Sequence, residues 1–261
     1  MGTLDLEVKN CTNSGKIVST GTYSGGIINN VMPSLSDDTK ITVRECTNKG
    51  NIESNKNAGG ILAFLGNVSD REVDGNSSLN IVDCTNEGNI QINASTAFVG
   101  GIMGVHGMQN FHGKITGCMN KGTITFTEVE PDKETTSIPA DDSQRDLQLT
   151  RMGGGIVGKI GAGTDLAQIR GEDNNNSNIN ADDAVLQISD CRSTGVVVSP
   201  AEEDYVYENS GEPVIINDFG GIVGYASPKD GYAFKAENCF YSGTDCGLGN
   251  NYGTDIGTKE N

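Results

Sequence analysis

A seven-residue segment, Cys84-Thr85-Asn86-Glu87-Gly88-Asn89-Ile90, recurs along the chain and constrains its fold more than any other feature. Copies begin at Cys11, Cys46, Cys84, Cys118 and Cys191, with a degenerate one at Cys239, and each of the first five is followed by Gly-Gly-Ile. The spacing is 35 residues from Cys11 to Cys46, 38 to Cys84, 34 to Cys118, then 73 to Cys191 and 48 to Cys239. Self-similarity at such a period marks a solenoid, in which each repeat is one unit that buries its apolar face only by stacking on its neighbours.

Three strand-like pieces stand out in each repeat. The first leads into the cysteine, with apolar residues two apart such as Leu6 and Val8, Ile41 and Val43, Leu79 and Ile81, so that one face points inward. The second follows the corner glycine at Ile17, Ile52, Ile90, Ile124 and Val197, and the third begins at Gly-Gly-Ile. Between the first two lie Asn13, Asn48, Asn86 and Asn120, with a glycine two residues on. Asn and Gly tolerate left-handed backbone, so the bend is expected there. The expected fold is all-β, a right-handed parallel β-helix (β-solenoid) of about six coils with three strands per coil. Residues 1–261 form one domain and read as a piece of a larger exported protein. Right-handedness follows from strand twist and the crossover rule. The long late spacings are loop insertions at 128–151, 163–183 and 200–217, and the only helical signal is a short turn over 142–149.

Composition supports this reading. With 36 glycines, no Trp and 5% aromatic residues, the chain lacks the rings of an ordinary globule but has the small residues a narrow stack needs. A formal charge of -17 argues against nucleic acid as a partner, and no apolar run inserts in a membrane. Six of the seven cysteines share one repeat position, which predicts a column of buried free thiols in coils ~4.8 Å apart. Cys246 lies outside that column, and a Cys239 to Cys246 bridge is the one pairing left open.

The Gly-Gly-Ile-Val-Gly segments at 154–158 and 220–224, combined with Cys-x-x-x-Gly-x-Ile/Val, resemble the GLUG-type repeats of bacterial surface proteins. That resemblance implies a right-handed parallel β-helix of adhesin-like character. Asn29 and Ala63 depart from the pattern where its last glycine would stand.

The residues form no recognisable catalytic set, metal site or cofactor site. Asp70-Arg71-Glu72, Asp182-Asp183 and Glu202-Glu203-Asp204 are acidic but lie in or near insertions, without partners at equivalent repeat positions. Residues 173–183 resemble a calcium loop only in composition. His106 and His112 have no ligand or nucleophile at useful spacing. If Ile27, Ile61, Ile102, Ile156 and Ile222 point inward, strict alternation puts Ile28, Leu62, Met103, Val157 and Val223 outside, joined by Phe64, Val105 and Tyr225. That would be an outer apolar stripe, open or covered by insertions. Its rim supplies the candidate ligand-binding residues Tyr205, Tyr207, Glu202, Asp204 and Tyr225, an aromatic and acidic set suited to a glycan or an extracellular protein. The expected function is therefore an extracellular or cell-surface binding or adhesion module. A polysaccharide lyase or glycoside hydrolase, or a purely structural spacer, stands as the alternative.

Overall fold

In the computed structural model, residues 4–33, 39–66, 77–108, 111–127, 149–161, 184–199, 215–227, 232–249 and 256–260 are described. They form strands and connections with no helix, and the expected turn at 142–149 lies outside them except for Leu149, which begins a strand. No helix among the described residues is long and apolar enough to cross a membrane.

The chain is a parallel β-solenoid with five sheets along its length. Sheet A stacks Leu4–Lys9, Thr39–Arg44, Ser78–Val82, His112–Thr116, Leu186–Ser189 and Phe234–Glu237 in parallel. Sheet B is a column of dipeptides: Thr12–Asn13, Thr47–Asn48, Thr85–Asn86, Met119–Asn120, Arg192–Ser193, Phe240–Tyr241 and Thr258–Lys259. Sheet C contains Ile17–Ser19, Ile52–Ser54, Ile90–Ile92, Ile124–Phe126 and Val197–Val198. Sheet D contains Tyr23–Gly25, Asn57–Gly59, Thr96–Gly100, Leu149–Gly154 and Ile215–Gly220. Sheet E contains Ile28–Val31, Leu62–Leu65, Met103–His106, Val157–Ile160 and Val223–Ala226.

A complete turn thus has five strands, not three. The Thr-Asn corner is itself a short strand, and the glycine-paired strand is two strands separated by a bend at Gly-Ile. That bend resets the alternation of side chains. Leu62, Met103, Val157 and Val223 are buried beside Ile61, Ile102, Ile156 and Ile222 in one core, so the outer apolar stripe expected from strict alternation does not exist.

Sheets D and E form a finger folded between sheets C and A. The core between A and E holds Val43, Ile81, Ile115, Leu65, Met103 and Ile160 with the buried cysteines. A second core between C and D holds Ile52, Ile90, Ile124, Phe126, Ala58 and Val99. At the fingertip the backbones of D and E nearly touch, so a Cβ on Gly104 or Gly158 would collide with the facing carbonyls of Ala58 or Val99. Further from the tip, the layer opens and takes side chains: Phe98 and Met152 from D, Phe64, Val105 and Tyr225 from E.

The left-handed bend also falls elsewhere than expected. Positive φ occurs at the residue before each column cysteine: Asn10 (55°), Glu45 (54°), Asp83 (51°), Gly117 (64°), Asp190 (53°) and Asn238 (51°). Among the corner glycines only Gly243, in the degenerate last copy, is left-handed as expected (φ 78°); elsewhere the corner Asn and Gly recur for other reasons. Four corner glycines face the preceding turn so closely that a Cβ on Gly50, Gly88, Gly122 or Gly195 would strike the previous glycine carbonyl. The asparagines form a ladder of side-chain amides. Asn13 Nδ2 donates to Asn48 Oδ1 (2.8 Å), Asn48 to Asn86 (2.8 Å), Asn86 to Asn120 (2.9 Å), and Asn120 to Ser193 Oγ (3.3 Å).

Candidate functional site

The thiol column is structural. Cys46, Cys84, Cys118, Cys191 and Cys239 are buried free thiols, whereas Cys11, expected in the same buried column, is exposed on the first turn. Each buried thiol donates to the carbonyl two residues before it and to a carbonyl of the preceding turn; Cys84, for example, reaches Val82 O (3.3 Å) and Val43 O (3.6 Å). The neighbouring Cys191 and Cys84 thiols, together with burial, raise the Cys118 thiol well above its ordinary range, so it is protonated, whereas contact with Cys118 lowers Cys191. Cys239 and Cys246 are both free, and no bridge joins them.

The layer between sheets D and E is the second place where chemistry concentrates. In register, Phe98, Met152 and Asp218 form a column on D, while Phe64, Val105, Lys159 and Tyr225 form one on E. The Tyr23 and Phe64 rings stack with centroids 4.3 Å apart, and Lys159 Nζ lies 4.3 Å from the Phe98 centroid. Lys159 is only 2% exposed, so its ammonium is stabilised largely by surroundings that include an aromatic face. Burial pushes the Asp218 carboxyl up to about 7, which leaves it partly protonated near neutrality. Tyr225 sits in this layer at 4% exposure.

The third place is the corner from sheet C to sheet D. Arg151 is 2% exposed, and its guanidinium lies 5.9 Å from the Phe126 ring centroid. Nη2 donates to Thr127 O (3.0 Å) and Nη1 to Ser199 Oγ (3.3 Å). Thr127 and Ser199 are the last described residues before the segments 128–148 and 200–214, and the strands that follow pair in register at Leu149 and Ile215. One buried cation therefore ties the roots of both insertions. Tyr205, Tyr207, Glu202 and Asp204 lie outside the described residues, in the segment that follows Ser199.

His106 and His112 do not share a site. His106 is fully buried and held by Nε2 on Phe111 O (3.1 Å), whereas His112 is exposed on sheet A. Burial lowers the His106 pKa to about 4, so the ring is neutral. Asp70, Glu72, Asp182 and Asp183 also lie outside the described residues, among which no group of three His, Cys, Asp or Glu side chains could hold a metal ion.

Sequence reasoning passed over Arg151, Lys159 and Asp218. Their signal lay in the aligned repeat columns. Arg151 occupies the position of Ala97 and Asn217, Lys159 that of Val105 and Tyr225, and Asp218 that of Phe98 and Met152. For Lys159 and Asp218, a charge beside apolar neighbours in the column marks a position where packing alone does not decide.

Compared with known proteins, the chain matches no family model, no curated protein and no solved structure at a significant level.

Proposed function

We propose that this solenoid is an extracellular binding or adhesion module of a bacterial surface protein, similar in kind to GLUG-type repeat proteins. Its glycan or protein partner is contacted by the insertions that leave the C-to-D corner. The observation that carries this reading is Arg151, a buried cation bonded to the root of each insertion. Fixing the roots of two long insertions on stacked strands is how rigid scaffolds position binding surfaces. The acidic and aromatic character of 202–207 supplies stacking faces and acceptors for a sugar or a basic protein surface. The sequestered thiols, by contrast, support no nucleophilic role for the column.

The test is a screen of the intact domain against glycans and extracellular-matrix proteins, with Tyr205→Ala/Tyr207→Ala and Arg151→Met beside the parent. Binding weakened by both changes supports the reading. Binding that survives both would exclude these loops. No binding to any member would leave a structural spacer, and release of unsaturated or reducing sugar ends would establish a lyase or hydrolase instead.

A further inference from the structure

The later turns of the solenoid close one of its two cores and leave the other open. Sheet B runs on through Phe240–Tyr241 and Thr258–Lys259, whereas sheet C ends two strands earlier, at Val197–Val198. The cause is a short circuit in the chain path. Gly243 (φ 78°) lies against Val196 and turns the chain out of the coil, and residues 244–249 run straight from sheet B to sheet E. There Gly221 N donates to Cys246 O (2.8 Å), Ile222 N donates to Gly247 O (2.9 Å), and Leu248 bridges Val223. Tyr241, Leu248 and Ile256 thereby seal the core between A and E. The core between C and D gains no such cover from the described residues: Val197 and Phe219 are half-buried, and Val196 and Val198 are 39% and 41% exposed.

Backbone and sequence both change at this edge. At each earlier turn the first residue of the C strand donates to the next turn: Ile17 N to Asn51 O (2.9 Å), Ile52 N to Asn89 O (2.8 Å), Ile90 N to Thr123 O (2.8 Å) and Ile124 N to Val196 O (2.9 Å). Val197 holds the equivalent place, and its N–H and C=O point to the side where no described strand follows. The outward positions that flank it are Asn51 and Glu53, Asn89 and Gln91, and Thr123 and Thr125 at the inner turns, but Val196 and Val198 here. Val18, on the first turn, is the one other valine in these columns.

We infer that this edge is a docking site for one extended strand of a partner chain, added in parallel to Val197–Val198. The strand would accept the Val197 N–H and return an N–H to Val197 O. Its inward side chain, a branched aliphatic such as Ile52, Ile90 and Ile124 supply in the same column, would seat on Val197 and Phe219, and apolar outward neighbours would meet Val196 and Val198. The occupant follows from continuity of the ladder and from the shape of the edge. Phe240–Tyr241 and Thr258–Lys259 stand beside it as a step about 10 Å high. A single extended strand fits at the foot of that step. A folded second copy does not, because seating its Ile17–Ser19 on Val197–Val198 would push its Thr12–Asn13 into the level that Phe240–Tyr241 holds. The surface is separate from Tyr205 and Tyr207 and goes beyond the binding reading above, so the two can fail independently.

The probe is a peptide copying residues 121–127 with Thr123→Val and Thr125→Val, which brings Ile124 in line with Val197. The control peptide carries Thr125→Pro instead and lacks the N–H owed to Val197 O. In the parent protein the Val197 amide should exchange freely with solvent, and saturating probe should slow that exchange at least about tenfold while the control leaves it unchanged. Val197→Pro removes a donor that no described strand uses, and Val196→Lys/Val198→Lys alters only exposed positions. Each variant should keep the parent melting midpoint and weaken probe affinity, read by fluorescence anisotropy, at least about tenfold. Exchange that the probe does not slow, or affinity unchanged in both variants, would overturn the inference. So would a Val197 amide already protected in a monomeric parent, since the chain would then cover its own edge, or a parent dimer that Val197→Pro dissociates, since the edge would then belong to a second copy.

Discussion

Asn48 donates one amide hydrogen to Asn86 Oδ1 at 2.8 Å and the other to Gly50 O at 2.9 Å, with both asparagines fully buried. The side chain thus closes its own corner and ties it to the next turn. An amide suits both tasks, because it has two donors and an acceptor on one planar head. Asn86→Asp keeps the shape but removes the donors to Gly88 O and Asn120 Oδ1 and buries a carboxyl. The expected loss is roughly 3 kcal/mol or more of unfolding free energy in denaturant titration. A loss below about 1 kcal/mol would mean that the ladder only accompanies the stack.

The fingertip makes a second demand. Gly101 faces the Gly155 carbonyl and the Asn120 amide so closely that a Cβ would overlap both, and neither a backbone nor a doubly bonded amide yields easily. Gly101→Ala should therefore destabilise by roughly 2–4 kcal/mol, whereas Gly21→Ala, on an exposed connection where a Cβ meets only Ser19 Oγ at 3.4 Å, should cost far less. Equal melting points for the two variants would refute the close contact at the tip.

Glu45 holds φ at 54° in a position that other turns fill with Asn, Asp or Gly. A long side chain in this region is strained by roughly 1 kcal/mol, and its ion pair with Arg44 Nη1 (3.0 Å) is exposed and weak. Glu45→Gly should raise stability by about 0.5–1 kcal/mol, measurable as a shifted denaturation midpoint at unchanged slope. A lower midpoint would show that the ion pair outweighs the strain.

The stack, its parallel sheets and the inward cysteines were legible because repetition aligns equivalent positions, and a column of identical residues can be read without any propensity scale. The chain path within one turn was less legible. Alternation at Gly-Gly-Ile suggested one strand with an outer face, but the bend at Gly101-Ile102 turns Ile102 and Met103 into the same core. The left-handed position was visible in Asn10, Asp83, Gly117, Asp190 and Asn238 but was masked by the more prominent Asn and Gly of the corner. Arg151 illustrates a different limit: its partners, Thr127 and Ser199, are 24 and 48 residues away and meet it only through stacking.

His106 and Asp218 place opposite pH dependences in one molecule. Burial lowers the His106 pKa from 6.5 to about 4, with further lowering from the nearby His112 charge, while Nδ1 has no hydrogen-bond partner and Leu65 and Ile160 flank the ring in register. Between those values the unfolded chain binds the proton more readily. The His106 contribution is thus complete above pH 6.5 and is lost as pH falls towards 4, by roughly 3 kcal/mol in all. Asp218 behaves in reverse. Its folded pKa of about 7 exceeds the unfolded 3.8, so the folded state holds the proton more tightly and this contribution is lost as pH rises from 3.8 to 7. Denaturant unfolding at pH 7, 6, 5 and 4 on the parent, His106→Leu and Asp218→Asn should separate the two. Relative to the parent, His106→Leu should gain stability as the solution is acidified and Asp218→Asn should lose it. Taking differences from the parent cancels the common titration of the acidic surface. A His106→Leu difference that stays constant from pH 7 to 4 would mean that the folded chain takes up the ring proton as readily as the unfolded one, and that the burial assigned to it is wrong.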